Sequence, residues 1–460
     1  MKKILASLLV LCLSLGILAG CGNSNTPAQS GGKKTFVFGD TTFNAENEES
    51  TINPHEAYSG WACIRYGIGE TLMKIADDGT LEPWLAESAT NINATTWEIV
   101  IKDAVCFSNG KKCDAAAVKA CLEHLIEVHE RAAGNLKIAS MEADGQKLTI
   151  VTGELVVVVL KERIAGIGHA VGCVDFARLE RHGQRVTVGN GADGDLVNLH
   201  LAVPVVDVFD EIHMVVRDDF GRHIGTGAVR KAIAMGINKQ DFVDVLLNGY
   251  GYTATGAFPD SFAFGQGIQT VSFDPDQARA DLEAAGWVDT DGDGIREKNG
   301  VKLTIRWLTY PSRQELPLLA ESAQSTLKDI GIDVQINCTK DHNSIRKDPT
   351  AWDIWVSANV NAGLGDPQNF FDTYCLDESV KNSGGHHSDK LEKLAVRLRT
   401  TFDPAERAKI AVEMQQQLLD DNSYVFCSFL RMSMIMKANV SGLEAHTCDF
   451  YELTADLDIQ

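Results

Sequence analysis

The chain has 460 residues, 44% of them hydrophobic, and a formal net charge of −21 at pH 7. This length is enough for two or three domains with sizeable cores. The negative charge opposes binding to nucleic acid or to anionic membrane surfaces, so neither is an expected partner of the main body.

The N-terminus has the pattern of an export signal. Two lysines and an apolar run precede the sequence LAGC, which ends at Cys21. This pattern predicts a signal peptide at residues 1–20. The Gly/Ser/Asn-rich residues 21–34 predict a flexible tether. A Cys directly after LAG resembles the bacterial lipobox, which implies a lipid anchor on Cys21; the alternative is a plain signal peptide with an incidental cysteine.

Residues 36–153 predict alternating strands and helices. TFVFGD, TWEIVI and KLTIV favour strands, and TWEIVI alternates clearly between apolar and polar residues. The segment that follows Asp114 predicts a helix with this residue as its N-cap and with buried residues three or four positions apart. The predicted buried positions are Val118, Leu122, Leu125 and Val128.

The chain from residue 229 onward repeats this mixture of helices and strands. VRKAIAMGINKQDFVDVLLNG predicts two helices broken near Asn238, and Asp274 is the expected cap of another helix. WDIWVSANV predicts a buried strand, and DPAERAKIAVEMQQQLLDDN predicts a long helix. Strands that alternate with helices indicate an α/β fold.

Five segments, taken together and in order, resemble a known family. They are INPHEAYSGWACIRYGIGETLMKIADDGTLEPWLAES, CFSNGKKCDAAAVK, VRKAIAMGINK, DLEAAGWVDTDGDGIREKNGVKLTI and GDPQNFFDTY. The chain is similar here to the solute-binding proteins of bacterial oligopeptide, dipeptide and nickel ABC transporters. The resemblance implies an α/β, two-lobed periplasmic-binding-protein (type II) fold. Lobe 1 is expected at 35–255 and 438–460, and lobe 2 at 256–437.

The resemblance also implies a function. The protein is expected to be a monomeric, extracytoplasmic or periplasmic receptor, anchored to the membrane by its lipid. It would deliver a nickel chelate or short peptide to the permease and ATPase subunits of an ABC importer, without catalysis or a resident cofactor. The alternatives are an exported nucleotide- or metal-dependent enzyme and a surface scaffold that binds no ligand.

Several residues are candidates for ligand binding by this resemblance. Arg131 lies where nickel-type members carry an arginine that holds chelate carboxylates; the alternative is an exposed residue at a helix end. His386 and His387 are candidate metal ligands because imidazole suits nickel, although paired loop histidines are often only exposed. The remaining candidates are Tyr58, Trp61, Asn361, Asp366 and Phe370.

The residues before GDPQNFF bear on the choice of ligand. Peptide-binding relatives place an aspartate there to pair with the peptide's amino group. This chain has NAGL at residues 361–364, which counts against simple peptides. The tryptophan of nickel-type members is absent as well, so the ligand stays open.

Residues 154–228 differ from the rest of the chain. They contain fifteen valines and no serine, tyrosine or tryptophan. The family motifs expected here, such as GTGPY and SGEID, are missing, but each is permitted by the complementary DNA strand read backwards. Our hypothesis is that this stretch is translated from an inverted DNA segment, which predicts a disrupted first lobe with disordered or loosely packed residues at 154–228.

Two short motifs suggest other sites. GNGADG at residues 189–194 matches the dinucleotide-binding pattern GxGxxG, but no clear helix follows it and it lies within the aberrant segment. DTDGDG at residues 289–294 resembles the start of a calcium loop, but position twelve of that loop is Gly300. We therefore favour a polar turn at 289–294.

Overall fold

A computed structural model gives the arrangement of most of the chain. It describes residues 35–38, 53–55, 59–76, 80–93, 95–129, 132–153, 185–188, 205–217, 227–361, 365–379, 381–401, 403–433, 436, 439–444, 446, 451, 453–454 and 456–459. Cys21, Tyr58 and Arg131 lie outside these residues.

Strands and helices alternate through the described chain. The strands are β1 (Thr35–Phe38), β2 (Met73–Ile75), β3 (Leu81–Pro83), β4 (Ala86–Asn93), β5 (Thr96–Ile101), β6 (Ile138–Asp144), β7 (Lys147–Thr152), β8 (Arg185–Val188), β9 (Val205–Val216), β10 (Gly251–Thr253), β11 (Glu297–Lys298), β12 (Val301–Lys302), β13 (Thr304–Thr309), β14 (Asp333–Cys338), β15 (Ile354–Val360), β16 (Tyr424–Ser433), β17 (Val440–Ser441) and β18 (Asp458–Ile459). The helices are α1 (Ser59–Arg65), α2 (Ala115–Val128), α3 (Ala132–Leu136), α4 (Gly227–Gly236), α5 (Lys239–Asp241), α6 (Pro275–Ala284), α7 (Glu315–Asp329), α8 (His342–Arg346), α9 (Gln368–Tyr374), α10 (Asp389–Thr400) and α11 (Pro404–Asp420).

The first part of the chain builds a four-stranded antiparallel sheet in the order β4-β5-β7-β6. Alternate residues of β5 are buried in the core that also buries one face of α2. The Asp114 side chain accepts a hydrogen bond from the backbone of Ala117, so the predicted N-cap is confirmed. Val128 was predicted to be buried and is instead 45% exposed, because the helix ends at this residue.

The larger sheet has six strands in the order β10-β16-β9-β15-β13-β14. Strands β13, β14 and β15 run parallel, and β9 is antiparallel to both of its neighbours. Helices α4, α6 and α7 bury their apolar residues against one face of the sheet. Helices α9, α10 and α11 contribute to the core on the other face. The helix break at Asn238 is confirmed, since this residue caps α5.

Two parts of the range 154–228, for which loose packing is expected, are strands in the structure. β9 lies inside the six-stranded sheet, and its Ile212, Met214 and Val216 are at most 1% exposed. β8 pairs in parallel with β1. Residues 154–184, 189–204 and 218–226, which include the GxGxxG motif, lie outside the described residues, so the inverted-segment hypothesis stays a prediction.

The sheet also bears on the expected lobe boundary at residue 255. Strands β9 and β10 and helix α4 were assigned to lobe 1, but they share a sheet and core with residues 301–433. The sheet thus groups β9 with the second unit, and the lobe bounds themselves stay a prediction. The C-terminal residues pack with the first unit: Tyr451 Oη accepts a hydrogen bond from the Ile75 backbone N–H at 2.9 Å.

Within the described residues, helices are too short or too polar to cross a bilayer.

Candidate ligand-binding site

The parallel strands of the large sheet end at one edge. Open α/β sheets bind ligands just outside the carboxyl ends of their strands. Tyr310 directly follows β13, His342 begins the helix after β14, and Asn361 directly follows β15. Since β9 is antiparallel to β15, the residues that pair with the end of β15 come from its first half, up to Glu211 and Ile212. Aromatic, imidazole, amide and carboxylate groups are therefore collected at this edge.

A buried polar cluster lies where β15 ends. The Glu211 and His213 side chains are 0% and 1% exposed, and Glu211 Oε2 is 2.7 Å from His213 Nδ1. Asn361 Nδ2 donates to Glu211 Oε2 at 3.1 Å and to the Ala257 carbonyl at 3.2 Å. A buried carboxylate is costly unless neighbours compensate its charge and lone pairs. These bonds therefore fix Asn361 against β9.

The cluster continues toward a half-buried tyrosine. Asn359 Nδ2 lies 3.5 Å from His213 Nε2, and the Tyr374 hydroxyl donates to Asn359 Oδ1 at 3.5 Å. The His213 ring is surrounded by the rings of Phe370, Tyr374, Tyr424 and Phe426, at centroid distances of 5.7–6.5 Å. These four rings, which we call the aromatic frame, enclose the polar groups and hold them in place. Together they form the floor of the candidate site at this edge of the sheet.

Beside this floor lies a stack of rings with a cation on it. The Tyr310 and His342 rings are 4.5 Å apart, and both lie 5.5 Å from Trp355. The Arg346 guanidinium lies 5.2 Å from the centroid of the Trp355 ring. Burial lowers the pKa of His342, which favours its neutral form. The stack offers flat rings and a guanidinium, which suit a planar or anionic ligand.

The described candidate residues do not all lie together. Trp61 is half-buried on α1, with the Arg65 guanidinium 4.7 Å from its ring centroid. Asn361 belongs to the buried cluster. His387 is exposed, and its Nδ1 is 2.8 Å from the Asp377 carboxylate, which raises the pKa of the imidazole.

Asp366, Phe370 and His386 are buried in the protein interior. Asp366 forms an ion pair with Arg407, and both side chains are less than 9% exposed. Phe370 is 1% exposed and is part of the aromatic frame. His386 is 2% exposed, and its Nε2 is 3.0 Å from Asp421 Oδ2. The structure thus gives these three side chains packing and positioning roles.

The two adjacent histidines contact different carboxylates. His386 contacts Asp421 at the end of α11, while His387 contacts Asp377 in the loop after α9. Each imidazole thus has its own carboxylate partner, and the prediction that the two histidines ligate a metal stays a prediction.

The ammonium group of Lys302 lies against the acidic loop at 289–297. Asp289, Asp291 and Glu297 have carboxylate oxygens within 4.8 Å of one another. The Lys302 ammonium lies 2.7 Å from Asp291 and 2.8 Å from Asp293. Lys302 thus supplies the positive charge that a metal ion would bring, and the loop matches the favoured polar turn.

The sequence analysis missed Glu211 and His213 because they lie in the segment that it treated as aberrant. A signal was present in the alternation of EIHMVV, where Ile212, Met214 and Val216 face one core. This alternation is typical of a strand and places Glu211 and His213 together on the opposite face.

Comparisons with known proteins agree with this fold. Residues 80–170 and 225–382 match the profile described as bacterial extracellular solute-binding proteins, family 5 middle. The nickel-binding protein NikA of Staphylococcus aureus is 25% identical over 89% of this chain and 90% of its own length. The oligopeptide-binding protein AppA of Bacillus subtilis is 25% identical, but over only 47% of this chain and 41% of its own length.

Solved structures of two such proteins are similar to this chain over most of its length. The structure of Staphylococcus aureus NikA in complex with Ni(L-His)2 has a TM-score of 0.75 at 21% identity and covers 93% of this chain and 100% of that one. Bacillus subtilis AppA in complex with a nonapeptide has a TM-score of 0.72 at 16% identity, covering 93% and 99%. The predicted α/β type II fold is confirmed by these similarities.

Proposed function

Because the chain belongs to the bacterial extracellular solute-binding proteins, family 5, we propose that it captures a nickel chelate for an ABC importer. Members of this family bind solutes for such importers. The choice of a nickel chelate rests on how much of each curated relative aligns with this chain. The nickel-binding relative matches most of both chains, whereas the similarity to the oligopeptide-binding relative covers less than half of each.

The residues around β15 support a chelate over a free peptide. A peptide's amino group needs a carboxylate partner, and residues 361–364 carry none. Glu211 is nearby, but its side chain is fully buried and bonded to His213 and Asn361. A short peptide remains the second candidate, because the AppA structure shares the fold.

In this proposal both parts of the protein supply ligand contacts. Arg131 binds a carboxylate of the chelate, since a guanidinium matches a carboxylate in two parallel hydrogen bonds. Tyr58 and Trp61 provide flat apolar surface from the same part. The second part contributes His387 and the Tyr310–His342–Arg346 stack, and the buried Asn361 supports them from below through its bond to Glu211. Asp366, Phe370 and His386 act as positioning residues.

Ligand binding between two lobes provides the transport signal. A ligand that touches both lobes binds the closed form more tightly than the open form and shifts the population toward it. The closed receptor then delivers the chelate to the permease and its ATPase subunits. Cleavage after residue 20 and lipidation of Cys21 would keep the receptor at the outer face of the membrane.

Calorimetric titration tests the ligand. We expect one equivalent of nickel(II)–L-histidine to bind, and Ni²⁺ alone, L-histidine alone and dipeptides to bind at least tenfold more weakly. Tight binding of a dipeptide without nickel–histidine binding would favour the second candidate. Absence of binding in all four titrations would favour the scaffold alternative.

A matched pair of variants tests the site. Hydrogen bonds to charged groups contribute about 1.5–3 kcal/mol, so Arg131→Met should weaken nickel–histidine binding at least tenfold. Arg397→Met removes an exposed arginine of α10 and serves as the control. Equal affinities of the two variants would exclude Arg131 from the contact.

A further inference from the structure

Three side chains with metal-ligating atoms lie beside α2, and the ligand atoms of two of them are in contact. Cys121 and His124 are three residues apart on this helix, so they lie on the same face. His55 belongs to the segment before α1, and its Nε2 is 3.4 Å from Cys121 Sγ. The rings of His55 and His124 are 5.1 Å apart between centroids. We propose that Cys121, His55 and His124 form a metal site for a borderline divalent cation such as Zn²⁺.

The separation of the first two ligand atoms fits a tetrahedral ion. Zinc binds thiolate sulfur at about 2.3 Å and imidazole nitrogen at about 2.0–2.1 Å, which places neighbouring S and N atoms about 3.5 Å apart. The observed 3.4 Å between Cys121 Sγ and His55 Nε2 needs little adjustment. Water completes the fourth position, because His124 is exposed at this face.

The third ligand is the adjustable one. The His124 side chain is 54% exposed, and its Nδ1 lies 3.9 Å from Glu127 Oε2. An exposed side chain changes rotamer at little cost, so the imidazole can turn toward the thiolate. His55, by contrast, is 7% exposed, and α2 is fixed by its cap and core packing. The site therefore has two positioned ligands and one that closes on the ion.

The ligand set determines which ions bind. One thiolate and two imidazoles suit zinc, copper or nickel and exclude calcium and magnesium, which need oxygen ligands. Binding releases the thiol proton, since thiolate is the ligating form. The bound ion would link His55 to α2 through Cys121 and His124. The site uses none of the residues proposed to contact the transported chelate. Because Ni²⁺ alone can also bind here, the calorimetric titrations are repeated with Cys121→Ser, so that either proposal can fail alone.

Cobalt(II) reports this site directly, because thiolate coordination produces a sulfur-to-cobalt charge-transfer absorption. We expect the purified, reduced protein to develop this absorption with one equivalent of Co²⁺ and to lose it when Zn²⁺ is added. Cys121→Ser should abolish it, and His124→Ala should weaken Co²⁺ binding at least tenfold. Cys106→Ser and Cys338→Ser, at two exposed cysteines away from this site, should leave it unchanged.

The proposal is overturned if the absorption survives Cys121→Ser or disappears in a control variant. A second measurement needs no substitution at Cys121. Zn²⁺ should slow the alkylation of Cys121 in the unmodified chain relative to that of Cys106, with both rates read by peptide mass spectrometry. Equal rates with and without Zn²⁺ would also overturn the proposal.

Discussion

The buried ion pair between Asp366 and Arg407 links the start of α9 to α11. Arg407 also donates hydrogen bonds to the carbonyls of Leu398 and Thr401, and Asp366 accepts one from the Gln368 backbone at 2.7 Å. Arg407→Met removes the cation. The Asp366 carboxylate then lacks its ion-pair partner, and the Leu398 and Thr401 carbonyls lack the hydrogen bonds that Arg407 donates. Both charged side chains are less than 9% exposed, so water cannot replace the lost partner.

Breaking a buried ion pair by removing one partner costs about 3–5 kcal/mol. We expect Arg407→Met to lower the free energy of unfolding by this amount, which is more than a hundredfold in the folded-to-unfolded ratio. Adding Asp366→Asn should cost less than the sum of the single effects, because the double variant buries no unpaired charge. Urea unfolding followed by circular dichroism measures each value.

An exposed pair between α10 and α11 provides the control. Arg397 and Glu413 are 3.2 Å apart, and both side chains are more than half exposed. Glu413→Gln should therefore cost less than about 1 kcal/mol. The buried pair does not stabilise the fold as expected if Arg407→Met lowers the free energy of unfolding no more than the control does. The same conclusion holds if the effects of Asp366→Asn and Arg407→Met on this free energy simply add.

Three further predictions concern β9, His387 and the gene. Ile212→Ala should destabilise the protein by about 2–5 kcal/mol through a core cavity, whereas the exposed control Val396→Ala should change stability by less than about 0.5 kcal/mol in the same urea assay. The pKa of His387 is raised by Asp377, so its contribution to stability is present below about pH 6.5 and is lost as the pH rises through the folded-state value; histidine NMR should show a lower pKa in Asp377→Asn. Sequencing of the source DNA across codons 140–240 should decide the origin of the segment: an inverted reading shows a rearranged gene, and a forward reading of the missing family motifs shows that the inversion is an assembly artefact.

Local signals in the sequence were sufficient for many elements. The cap and periodicity of α2 and the alternation of β5 predicted both correctly, because these features act between residues close in the chain. The family resemblance supplied the fold class through five ordered segments, and the profile match agrees with it. The export signal is equally local, although residues 1–34 lie outside the described residues.

The arrangement of the site was decided by contacts between distant residues. Asn361 meets Glu211 across 150 positions, and His386 meets Asp421 across 35. Whether a polar side chain faces ligand or a buried partner depends on which strand or helix packs beside it. That neighbour is fixed only when the chain folds. Many helices and strands and the family could therefore be predicted from local patterns, whereas the burial of the candidate side chains depends on long-range packing.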